Sequence, residues 1–138
     1  MSISGINKKR ALIIMIILLG IMMVFHLLVL IQLIPYDIVW AGKINSLEEM
    51  ITFEIVSILI NIVIFVVLLI KKKLISSSKK NKLIDFLIWL IFGLFTLNTV
   101  GNLFSKSKLE LIMGTGLTAV LAVLTFIIAK KDKSINKN

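Results

Sequence analysis

Four long apolar blocks, at residues 11–34, 51–70, 83–104 and 109–129, leave this chain of 138 residues little else to fold with. A hydrocarbon core about 30 Å thick is crossed by roughly 20 helical residues at a rise of about 1.5 Å each, and every block reaches that length. Lipid offers no partner to backbone N–H and C=O groups, so a spanning segment has to satisfy them itself, as a helix does. The fold class that follows is all-α. We expect one membrane domain over residues 1–138, an antiparallel up-down bundle of four transmembrane helices. The expected spans are approximately 11–34, 47–70, 83–104 and 109–129, with a basic loop at 71–82 and a basic tail at 130–138. The first block follows Lys8, Lys9 and Arg10 like a secretion signal, but its length and its lack of a small-residue cleavage site predict a retained anchor.

Composition enters as a test of alternatives. Hydrophobic residues make up 59% of the chain, against the roughly 45–50% usual in soluble domains. A formal charge of +9 would suit nucleic acid, yet phosphate binding needs a soluble basic face, so no nucleic-acid partner is expected. The lysines cluster at block ends, where they meet anionic headgroups of membrane lipids on the cytoplasmic side. With no cysteine and one histidine, neither a thiolate nor a histidine-rich metal site can form, and no catalytic or cofactor motif is present.

Basic residues also set orientation. Lys and Arg number three at the N-terminus, six in 71–82 and four in 130–138, against one in 35–50 and two in the third connection. Both termini are therefore expected in the cytoplasm of a cell whose inner (plasma) membrane holds the protein. In the first connection Pro35 is expected to close the first helix, and Tyr36 and Trp40 to sit at headgroup level. Ser46 and Glu49 form an S-x-x-E capping box that starts the second helix near Leu47.

Polar residues inside the blocks carry the functional question. His26 lies 15 residues above 11, Glu54 16 above 70, Asn98 15 above 83 and Thr115 14 above 129, counted from the cytoplasmic edge. At about 1.5 Å per residue, all four stand about 21–24 Å from the cytoplasmic edge. Glu54, Ser57 and Asn61 share one face of the second helix by their i, i+3, i+7 spacing, and Asn98 and Asn102 share one of the third. The inner half is nearly dry, with Thr125 expected to bond back to its own helix. Each residue has a bland reading: Glu54 tilting up to the headgroups, His26 as a packing residue, and the asparagines as interhelical glue. The functional reading places His26, Glu54, Ser57, Asn61, Asn98, Asn102 and Thr115 around an outward-facing pocket in which carboxylate and imidazole hold a proton or cation between them. Trp89 reads as a packing residue or as the floor of that pocket.

The segment IPYDIVWAGKINSLEEMITFEIVSILIN, with LNTVGN after it, resembles a group of small four-span integral membrane proteins of bacteria. The resemblance implies a bacterial inner membrane and carries no catalytic residue. Small multidrug exporters also have four spans, but their glutamate sits deep in the first helix, which here has none.

The function expected from these residues is binding or transport of a small polar or cationic ligand. The alternative is a non-catalytic accessory, interaction or immunity-type protein. A lipid-modifying enzyme, with His26 and Glu54 as acid and base, is the third reading. Lipid-facing and partner-facing surfaces look alike in such a sequence, so a homo-oligomer stays open.

Overall fold

A computed structural model describes residues 7–130, apart from the side chain of Ala41. The tail at 131–138, part of the basic segment read above, lies outside the described residues. Four helices long and apolar enough to span a membrane are present, and there is no strand among the described residues. They are α1 (Lys8–Leu30), α2 (Leu47–Ser76), α3 (Lys82–Leu103) and α4 (Thr115–Ala129), the last continuing a π turn at Glu110–Gly114. Helix α1 packs on α2 and α4, and α3 on α4 and α2, so the four close a ring in chain order.

Capping residues set the helix starts. Asn7 Oδ1 accepts from Arg10 N at 2.9 Å, which begins α1 three residues before the apolar block. Asn81 Oδ1 accepts from Leu83 N and Ile84 N and opens α3. Ser46 Oγ accepts from Glu49 N at 3.1 Å and starts α2 at Leu47, as the capping box predicts. The return bond falls one residue earlier than that motif requires: Glu49 Oε2 accepts from Asn45 N.

The helix ends depart from the sequence reading. Helix α1 stops at Leu30, so Pro35 does not terminate it. The chain turns at Gln32 (φ 61°), with Gln32 N donating to Val29 O and Leu33 N to Leu28 O, the paired bonds of a left-handed C-terminal cap. Helix α2 runs through the lysines to Ser76 and ends the same way, at Ser78 (φ 53°), with Lys79 N donating to Leu74 O. Most of the loop expected at 71–82 is therefore helix. Both endings use a non-glycine residue in a conformation glycine adopts freely, which left them invisible in the sequence.

Two apolar clusters fill the bundle. The larger occupies the lysine-rich end and middle, with Leu12, Met15, Leu68, Ile88, Leu121 and Ile128 fully buried. Thr125, fully buried among these residues, donates to Leu121 O at 2.6 Å, as expected. The smaller cluster joins Val29, Val39, Ile44 and Met50, with Phe25, Ile34, Tyr36 and Trp40 packed around it. It folds the α1–α2 connection down onto the opposite, lysine-poor end. Lys71 Nζ donates to Asp85 Oδ1 and ties α2 to α3 at the lysine-rich end. Asp85 is nearly half exposed, so this pair contributes little by itself.

Gln32 supplies the fold-level test. Gln32→Gly removes the steric cost of a side chain in the left-handed region and should stabilise the protein by about 0.5–1 kcal/mol. Gln32→Val should destabilise it by at least as much. Thermal unfolding in detergent micelles checks both signs.

Candidate functional site

Glu54 is 1% exposed, on the second turn of α2, beneath the folded connection. Such a carboxylate needs donors for both oxygens, and it has them. His26 Nδ1 of α1 lies 2.7 Å from Oε2, and Trp40 Nε1 of the connection donates to Oε1 at 2.7 Å. Hydrogen bonds to an ionised group contribute about 1.5–3 kcal/mol each, roughly twice the neutral value. The three residues come from three separate stretches of chain, so the carboxylate clasps α1, α2 and the connection together.

The backbone shows how tightly Trp40 is committed. Its φ is +56°, a conformation bulky residues rarely adopt, and Gly42 follows at +66°. Together these bends turn the indole inward, where its ring lies 5.0 Å from that of Phe53, the neighbour of Glu54. Strain of this kind costs about 1–3 kcal/mol and persists only where surrounding contacts overrule it. The bond to Glu54 and the apolar cluster around Val39 and Met50 are those contacts.

The other predicted site residues separate into groups. Asn61 is buried, but its Nδ2 donates to Ser57 O one turn back on its own helix, so Asn61 and Ser57 stay on α2 away from His26. Asn102 turns to α4, its Nδ2 reaching Thr118 Oγ1 at 3.4 Å, and Thr99 Oγ1 lies 3.0 Å from the same hydroxyl. Gly114 makes this seam possible: a Cβ there would stand 2.9 Å from Asn102 Nδ2. Thr115 sits beside the seam, at the junction of the π turn and α4. Its buried hydroxyl has no hydrogen-bond partner among the described residues. Asn98 is exposed on the outside of α3 and joins neither group.

The shared depth read from the sequence therefore resolves into two polar groups and an outlier. One, His26–Glu54–Trp40, joins α1 to α2. The other, Thr99–Asn102–Thr118, joins α3 to α4. Trp89 is 45% exposed, edge-on to Phe92 and Phe126, and forms no floor beneath either group. Trp40 is the site residue that sequence reasoning missed. The available signal was chemical: an indole offers one donor and no acceptor, and Glu54 had one acceptor oxygen left over after His26. Among the described residues no group of three or more His, Cys, Asp or Glu side chains could hold a metal ion.

No family model, no curated protein and no solved structure matches this chain.

Removing one partner of a buried hydrogen-bonded pair leaves the other unsatisfied, at a cost of about 1–3 kcal/mol and more where that group is charged. His26→Leu alone should therefore destabilise strongly, whereas His26→Leu with Glu54→Leu should recover much of the loss. Trp40→Phe, which keeps the ring and drops the donor, should cost about 1–3 kcal/mol. Thermal unfolding of the single and double variants in micelles provides the cycle.

Proposed function

We propose that this chain is a multi-pass protein of a bacterial inner membrane whose His26–Glu54 pair binds a small cation, the proton, beneath a connection latched by Trp40. The lysine distribution supports an arrangement with both termini in the cytoplasm, which turns the Trp40 connection outward. The likeness of its central segment to small four-span bacterial proteins supports the same membrane.

The observation that carries the reading is a fully buried carboxylate with an imidazole nitrogen 2.7 Å away. With one shared proton, imidazolium and carboxylate sum to zero charge; without it, a net negative charge stays in a low-dielectric interior. The proton is thus the ion this site is built to hold. Access runs through the connection, because Trp40 covers the second oxygen of the same carboxylate. Release of the indole would open the pair to water from the lysine-poor side and expose Oε1 to an entering polar group. Occupation of the site and opening of the latch are coupled through one functional group.

One observation favours the accessory or interaction reading instead. Both oxygens of Glu54 are already satisfied from within the chain, which is what a purely structural clasp requires.

Infrared difference spectra of the protein in bilayers, recorded across a pH step, separate the two. The proton-binding reading expects imidazole-ring bands and a carboxylate stretch that shift together across the pH step and that Glu54→Gln abolishes or moves, with faster hydrogen–deuterium exchange at the ring bands in Trp40→Phe. A folded wild-type protein with no such shift at any pH would leave the accessory reading standing.

A further inference from the structure

We propose that α3 carries a self-association surface centred on Asn98, and that its occupant is the same face of a second copy of this chain. Asn98 is exposed on a membrane-spanning helix and makes no hydrogen bond among the described residues. A primary amide left in hydrocarbon forgoes two donors and an acceptor, each costly to leave unpaired. The threonines nearby avoid that cost locally: Thr96 Oγ1 donates to Phe92 O and Thr99 Oγ1 to Phe95 O, each one turn back. Asn98 has no such bond.

The amide is its own complement, because the donor of one copy fits the acceptor of another. Copies inserted in the same direction place Asn98 at the same depth. A twofold axis along the membrane normal then sets the two amides face to face and lets each both donate and accept. The surroundings suit a close approach. Gly101, one turn away on the same face, is exposed, and a Cβ built there meets nothing within 4 Å of its own chain. Toward the lysine-rich end, the face below Asn98 holds Leu94 and Leu87, both half-buried, with Ile91 buried between them in the core. These three residues form one wall of a groove of about 400 Å³ between α2 and α3, whose other wall includes Ile60 and Val63. The groove is apolar, open along its side and filled by nothing in the single chain. Apolar side chains of the second copy's α3 would occupy it while the amides pair above. Such packing, with polar bonds and small residues at the contact, is what drives helix association in lipid.

The absence of native cysteine makes the test direct. Full-length Gly101→Cys protein, which keeps the Asn98 amide and adds only a small side chain on the same face, should form a disulfide-linked dimer when oxidised in membrane vesicles at low protein-to-lipid ratio. Ile17→Cys, on the 58% exposed face of α1, should not. Energy transfer between labelled copies diluted in lipid should report association about tenfold weaker in Asn98→Leu and retained in Asn98→Gln. Gly101→Leu should also lose association while its thermal stability is no lower than the wild type's, since a Cβ there meets nothing of its own chain and glycine is the weaker helix former. Crosslinking of Gly101→Cys no faster than of Ile17→Cys, its capture onto a different protein, or unchanged association in Asn98→Leu would each overturn the proposal.

Discussion

A carboxylate that hydrocarbon will not tolerate alone governs the lysine-poor half of this protein. Because Glu54 is buried, both of its oxygens need donors, and the two available come from α1 and from the α1–α2 connection. Meeting that need brings His26 against α2, folds the connection inward and holds Trp40 in a backbone conformation it would not choose. The apolar cluster of Val29, Val39, Ile44 and Met50 is shaped around the same fold of chain. Without the carboxylate, little would keep an indole pointing into the bundle when the headgroup region offers it an equally good environment.

The two ends of the bundle rest on different physics. Toward the lysine-rich end, packing of branched and linear aliphatic side chains dominates, and Thr125 returns its hydroxyl to its own helix. Toward the other end, polar contacts between helices take over, with α1 bound to α2 through Glu54 and α3 to α4 through Thr99, Asn102 and Thr118. Hydrogen bonds between spans are worth about 0.6–2 kcal/mol in membranes; His26–Glu54 supplies one between α1 and α2, and Thr99 and Asn102 both reach Thr118 between α3 and α4.

Much of this was legible in the sequence, for identifiable reasons. Span number and approximate position followed from hydrophobic length, because lipid thickness is a hard constraint. The start of α2 followed from Ser46 and Glu49, whose side chains have a specific local task. Rise per residue placed His26 and Glu54 at one level, and they do meet. The same arithmetic gave no rotation about a helix axis, so it could not separate Asn98, which faces outward, from Asn102, which faces Thr118. Helix ends were misplaced wherever a non-glycine residue took the left-handed turn, at Gln32 and Ser78. Trp40 was assigned to the interface on its residue type alone, and its inward turn depends on a tertiary partner that no local pattern reveals.

The central claim is that Glu54 and His26 touch inside a lipid bilayer. Solid-state NMR can measure it directly, since the chain has a single histidine. Imidazole ¹⁵N and carboxyl ¹³C labels in bilayer-embedded protein should show strong dipolar dephasing between the His26 ring and the Glu54 side chain, as hydrogen-bonded contact requires. Loss of that signal in Glu54→Gln or Glu54→Leu would complete the assignment. Absence of dephasing in the folded wild-type protein would place the two groups apart and contradict the account.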